Sequence, residues 1–282
     1  MWSSRKISWL LLNLFLLFLV ANLLFLLGLM YFENSMVFPA PRFPHGDWDA
    51  SWLDHEDVTF FSEDGTQLHG WLVEHPEPRG FVLFCHGNGE HVAYLAEELA
   101  ALRDRLQVTV FAFDYRGYGR SHGKPNESGV LADGRAAQAW LADRVRLDPD
   151  QMIVAGRSLG GAVAVDLAVQ QGAHGLVLDR TFSSLPDVAA RQFPWLPVRW
   201  LMRNRLASID KIGGYQGPLL QFHGTADEIV PFELGRALFD ASNSAQKQFI
   251  IVNGGGHNDP HTAEFWSELG AFIQSLGLPF KP

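Results

Sequence analysis

Only one cysteine, Cys85, is present, so no disulfide within the chain can hold the fold together. It lies inside an apolar run that reads as a strand, where a small buried thiol is expected rather than a reactive one. Clustered Lys and Arg are also missing and the formal net charge is -9, which argues against a surface that tracks a nucleic-acid phosphate backbone. The histidines are scattered, and no His-x-x-x-His pair falls within a stretch that reads as a helix, so no metal site and no other cofactor is expected. Repeats and low-complexity tracts are absent as well. What remains is a chain of 282 residues, 47% hydrophobic, enough for one large domain with a sizeable core.

Charge is missing in one further place. Ile7 to Phe32, about 26 positions, carry no charged side chain, a run long enough to cross a hydrocarbon core of roughly 30 Å as a tilted helix. Arg5 and Lys6 precede it, which favours a cytoplasmic N-terminus and places the rest of the chain on the extracytoplasmic side. An uncleaved anchor over residues 1–33 is expected in preference to a signal peptide, because the run exceeds the usual signal centre and no small-x-small cleavage site follows it. Residues 34–57, rich in Pro, Trp and His without a period, read as a linker. A single catalytic domain is expected over 58–282.

Within that domain, Val58 to Ser62 and Gln67 to Val73 flank an Asp64-Gly65 turn, which predicts an antiparallel hairpin. Strand and helix patterns then alternate: Gly80 to Cys85, His91 to Leu106, Val108 to Phe113, Leu131 to Arg144, Met152 to Ala155, Leu159 to Gln171 and Gly175 to Leu178. The series closes with Pro218 to Phe222, Phe232 to Ala241, Gln248 to Val252 and Thr262 to Leu276. Such alternation predicts an α/β fold, a mostly parallel, doubly wound sheet with helices on both faces. Residues 181–213 break it with an aromatic, proline-containing stretch that reads as a small cap.

Gly156-Arg157-Ser158-Leu159-Gly160 joins one of these strands to the following helix. A serine on a bend that tight needs neighbours without side chains, so that the backbone can pass close by and the hydroxyl can stand clear. A serine hydroxyl is a poor nucleophile at neutral pH unless a base takes its proton and a carboxylate orients that base. Later strands end in His223-Gly224-Thr225-Ala226-Asp227 and in Gly254-Gly255-Gly256-His257, so Ser158, Asp227 and His257 are the candidate nucleophile, acid and base. Glu228 and, more remotely, Asp179 are alternative acids; Asp227 is preferred because it completes the His-Gly-x-x-Asp pattern. Two backbone N–H groups are needed for an oxyanion: Leu159, which opens the helix, and Asn88, in the His86-Gly87-Asn88-Gly89 loop after a preceding strand.

Together with the Asp114-Tyr115-Arg116-Gly117-Tyr118-Gly119-Arg120-Ser121 segment, these motifs resemble those of the serine α/β-hydrolases over most of Val58 to Leu276. The resemblance implies the α/β-hydrolase fold and cleavage of a carboxylic ester or thioester through an acyl-enzyme, with Asp114 and Arg116 in structural roles. Apolar N-terminal run, compact cap and His-Gly-Asn-Gly loop are most similar to the small membrane-anchored branch of lipid-directed esterases and protein-depalmitoylating thioesterases. Expected partners are therefore a small or lipid-like ester substrate and the membrane itself, with no nucleic acid and no prediction of oligomeric state. An amidase or peptidase, or an inactive scaffold that binds a lipid or protein, are the competing readings.

Overall fold

The computed structural model describes residues 4–277; residues 1–3 and 278–282, at the two ends of the expected anchor and catalytic domain, lie outside the described residues. Helix α1 (Ser4–Val37) holds the uncharged run. Residues Ser8–Val37 are long and apolar enough to span a membrane or to act as a signal sequence, and the most apolar part of this stretch packs against nothing in the protein. The helix runs four residues beyond the expected boundary and stops ahead of Pro39, which disfavours a helical conformation in the residue before it.

Eight strands form one sheet in the order β1-β2-β4-β3-β5-β6-β7-β8. They are β1 (Glu56–Phe61), β2 (Gln67–Val73), β3 (Phe81–Cys85), β4 (Thr109–Asp114), β5 (Ile153–Arg157), β6 (Gly175–Asp179), β7 (Leu219–Gly224) and β8 (Lys247–Val252). β1 pairs with β2 and β2 with β4 antiparallel, and all other pairs are parallel. The hairpin turn works as its sequence suggests: Thr66 N–H donates to Asp64 Oδ1 at 3.0 Å, and Gly65 takes a φ of +81°.

Parallel strands require crossovers, and α2 (Ala96–Leu106), α3 (Glu127–Val145), α4 (Leu159–Gln170) and α7 (Phe232–Ala241) lie in these, while α8 (Ala263–Ser275) follows the last strand. Between β6 and β7 lie two short helices, α5 (Leu185–Gln192) and α6 (Val198–Leu201), within the segment expected to form a cap. Side-chain alternation divides the core in two. Leu83, Phe111, Phe113 and Val154 point to the face covered by α3, α4 and α7, while Val82, Phe84, Val110 and Ile153 point to the face covered by α2 and α8. Burying each such side chain is worth about 1.5–3 kcal/mol, so the two layers dominate the stability.

Local capping explains where elements begin. Asn126 accepts from Gly129 N–H at 2.9 Å and starts α3 at Glu127, four residues earlier than periodicity alone suggests. The helix expected over His91 to Leu106 is divided into one 3₁₀ turn, Val92–Tyr94, and α2. Asp114 Oδ1 takes the Val92 N–H at 2.9 Å and holds that turn against the end of β4.

Candidate active site

Parallel register brings the ends of β3, β5, β6, β7 and β8 to one edge of the sheet: Cys85 lies opposite Gly156, Arg157 opposite Asp179, Asp179 opposite Phe222 and Gly224 opposite Val252. Loops leaving these ends carry Asn88, Ser158, Asp227 and His257, so residues far apart in the chain meet at the carboxyl end of the strands.

Ser158 sits between β5 and α4 with φ 51° and ψ -118°, a left-handed backbone conformation costly for any residue but glycine. The flanking glycines make this bend possible. A Cβ at Gly156 would meet the Gly160 carbonyl carbon at 2.6 Å, and one at Gly160 would press into the backbone of Cys85 and His86. Thr181 Oγ1 donates to the Ser158 carbonyl at 2.7 Å, and Ser158 N–H donates to Asp179 O at 2.9 Å, so the strained residue is held from the neighbouring strand.

His257 Nε2 stands 3.1 Å from Ser158 Oγ, and its Nδ1 stands 2.8 Å from Asp227 Oδ2. With Nδ1–H donating to the carboxylate, the Nε2 lone pair faces the hydroxyl, the arrangement that lets an imidazole take a proton from serine. The other carboxylate oxygen is committed elsewhere: Asp227 Oδ1 accepts the N–H groups of Ile229 at 3.0 Å and Val230 at 2.7 Å. Both Asp227 and His257 are buried.

The alternative acids have other partners. Glu228 approaches the His257 backbone N–H at 3.4 Å. Asp179 Oδ2 stands 2.9 Å from His261 Nε2. Burial works against the Asp179 charge, but the His261 hydrogen bond and the charges of His261, Arg180 and Arg157 outweigh it and bring its pKa to about 2.

At the opposite side of the serine, His86 Nδ1–H donates to Gly87 O at 2.8 Å, and Tyr115 Oη donates to His86 O at 3.0 Å. His86 is fully buried and burial lowers its pKa, so it acts in this loop as a neutral brace. Gly87 N–H donates to Glu90 at 2.7 Å. The Asn88 side chain is fixed by Tyr118 Oη, which donates to Oδ1 at 2.6 Å, and by its own Nδ2, which donates to Val37 O at 2.6 Å. Among the described residues, no protein acceptor takes the N–H of Asn88 or of Leu159.

Several residues that position this site were not assigned a role from the sequence. Arg157, the variable residue of the Gly-x-Ser-x-Gly bend, pairs with Glu90 and, at 2.8 Å, with Glu98, tying the bend to the His86–Gly89 loop. Arg180 reaches the carbonyl oxygens of the His257 loop. His223 is buried with Nε2 2.9 Å from Val230 O and 3.5 Å from Asp227 Oδ2, and burial pushes its pKa down. Arg157 and His223 stand inside motifs and Arg180 just beyond a strand, but the spacing alone assigns none of them a role, which rests on contacts made in the folded chain. Cys85 is fully buried beneath the loop, and burial raises its pKa well above that of a free thiol.

Comparison with known proteins follows the same lines. Residues 76–204 match the family described as serine aminopeptidase, S33 (Hydrolase_4). The chain is 42% identical over 206 residues to the uncharacterized protein Rv2307c of Mycobacterium tuberculosis, covering 72% of this chain and 73% of that one. It is 32% identical over 247 residues to the alpha/beta hydrolase domain-containing protein WAV2 of Arabidopsis thaliana, covering 81% and 79%. Among solved structures, the Pyrococcus furiosus esterase Pf2001 superposes with a TM-score of 0.69 at 21% identity, over 84% of this chain and 98% of that one, a similarity of fold.

Proposed function

Because this chain belongs to the α/β-hydrolase family, we propose that it is a membrane-anchored serine hydrolase that cleaves carboxylic ester or thioester bonds. The observation that carries the reading is the continuous line from Ser158 Oγ through His257 to Asp227, set on a strained bend at the edge of the sheet. Ser158 Oγ attacks the carbonyl carbon while His257 Nε2 takes its proton. The N–H groups of Leu159 and Asn88 receive the oxyanion, and the positive end of α4 adds to their field. As the tetrahedral species collapses, His257 returns the proton to the departing alcohol or thiol. A water deprotonated by His257 then attacks the acyl-enzyme, releasing the acid and restoring the serine.

α1 anchors the domain in the bilayer in this reading, and the basic residues Arg5 and Lys6 ahead of the apolar run favour a catalytic domain outside the cytoplasm. Reporter fusions at the C-terminus test that placement; activity only from a reporter that requires the cytoplasm would reverse it. For the chemistry, a fluorophosphonate probe is expected to label the wild-type protein and not Ser158→Ala. Equal labelling of both, or of neither, removes the serine-hydrolase reading in favour of an inactive scaffold. The aminopeptidase description of the matched family favours amide cleavage as the second reading. Rates on aminoacyl p-nitroanilides that exceed those on p-nitrophenyl esters would support it.

A further inference from the structure

We infer that the groove between α1 and the α5–α6 segment receives the acyl chain of a membrane-resident lipid ester, so that the apolar helix forms one wall of the substrate site. This assignment rests on the hydrolase reading above and names its substrate class.

The groove measures about 430 Å³, within the range of roughly 300–1,000 Å³ typical of ligand sites. Leu29 and Met36 line it from the helix, and Val188, Ala189 and Leu201 from the opposite wall. Among the described residues that line it, Glu33, Gln192 and the indole N–H of Trp195 are the polar groups, and the Glu33 carboxylate is already occupied. It accepts from the N–H groups of Arg203 at 2.8 Å and Asn204 at 2.7 Å, and from the side chains of both. These bonds dock the end of α1 on the catalytic domain, so the helix is a fixed wall and not a loose tether. An occupant of this groove therefore meets hydrocarbon on both sides and no free charge.

The two ends of the groove identify the occupant. At the inner end, Val37 lines the groove and its carbonyl accepts from Asn88, whose loop supplies a proposed oxyanion donor. Leu185 also lines the groove, four residues beyond the Thr181 that bonds the Ser158 carbonyl. At the outer end the groove reaches Phe25, in the part of α1 whose side chains are exposed. Thirty residues of helix extend about 45 Å, against roughly 30 Å of hydrocarbon, so the last turns of α1 emerge where this groove lies. Trp195 and Trp200, 68% and 90% exposed, project from the cap segment, as aromatic side chains do where protein meets lipid headgroups. The groove thus extends from the exposed stretch of α1 to Val37, the residue that the Asn88 side chain holds; Ser158, Asp227 and His257 are not among its lining residues. A chain can follow the groove from the membrane while its ester group arrives at Ser158.

The test uses the full-length protein in phosphatidylcholine vesicles, with Leu29→Trp and Val188→Trp filling the groove from either wall. Hydrolysis of p-nitrophenyl acetate is expected to stay within about twofold of wild type, while kcat/KM for the palmitate ester falls at least about tenfold. An equal fall for both esters, or none for palmitate, overturns the inference. Wild-type protein is also irradiated with a phosphatidylcholine carrying a diazirine at its chain end, which reads occupancy without turnover. Adducts within residues 25–37 and 185–202, reduced in the Trp variants, support the groove. Adducts confined to residues 8–24, or crosslinks joining two copies through α5, overturn it. Groove adducts in a protein that hydrolyses neither ester support the acyl site while removing the hydrolase reading.

Discussion

Arg180 Nη1 donates to the carbonyl oxygen of His257 at 2.7 Å, and to that of Asp259 at 2.8 Å, so a residue at the end of β6 fixes the loop that carries the candidate base. Arg180 is itself buried and sits at a φ of 49°, with its N–H bonded to Phe222 O at 3.0 Å. Truncation leaves two carbonyls without this charged donor, each loss costing roughly 1–3 kcal/mol. Arg180→Ala is therefore expected to lower the urea midpoint and to reduce kcat for a short ester with little change in KM. An unchanged kcat would make the residue a stabilising one only.

Asp227→Asn separates the role of the carboxylate from that of its loop. The Asn oxygen can still accept from Ile229 and Val230, so the fold is expected to survive with a similar melting temperature. The amide would donate to His257 Nδ1 and force the proton onto Nε2, where it faces Ser158. A loss of roughly 10³–10⁴ in kcat is expected by analogy with other serine triads. Retention of most activity would shift the role of acid to Glu228 or Asp179.

Gly160→Ala tests the packing that allows the bend. Its Cβ would stand 2.5 Å from the carbonyl carbon of Cys85 and from His86 O, both backbone atoms that cannot move aside independently. The variant is expected to lose about 4 kcal/mol or more and to accumulate as insoluble protein. Expression with a wild-type melting curve would show that the loop can retreat from the bend.

His69 gives the protein an alkaline limb of instability. It lies between two carboxylates, with Nδ1 2.9 Å from Asp114 Oδ2 and Nε2 2.8 Å from Asp57 Oδ1. Burial opposes its charge, but the hydrogen bonds and charges of Asp114 and Asp57 outweigh it, so its folded-state pKa lies above the ordinary value of 6.5. The stabilisation is complete below that ordinary value and is lost as pH rises through the folded-state pKa. Chemical denaturation across this range should show wild-type stability declining toward alkaline pH and a flatter profile for His69→Gln. Parallel profiles would exclude His69 as the source.

Most of the fold was legible because its physics is local and periodic. Alternating apolar residues set Val110 and Ile153 on one face of the sheet and Phe111 and Val154 on the other, and Asp64-Gly65 marks the hairpin turn. Less legible were the element boundaries, which depend on bonds from distant residues. Asp114 draws Val92 into a separate 3₁₀ turn, and α1 reaches Val37 rather than ending at residue 33. Candidate site residues were readable where glycine spacing betrays a sharp bend or a close backbone approach, as around Ser158 and Asn88.

By itself the sequence determined the alternation of strands and helices, the uncharged N-terminal run and the identity of Ser158, Asp227 and His257 as candidates. These rest on residue type and on spacing along the chain. Tertiary structure alone decided that Oγ, imidazole and carboxylate stand in one line, because their distances depend on the register of β5, β7 and β8. It also decided that Glu98 and Glu90 face Arg157, and that the end of α1 meets Asn88 and Asn204. Such contacts join residues widely separated in the chain, and only the closed sheet with its packed helices brings them within hydrogen-bond reach.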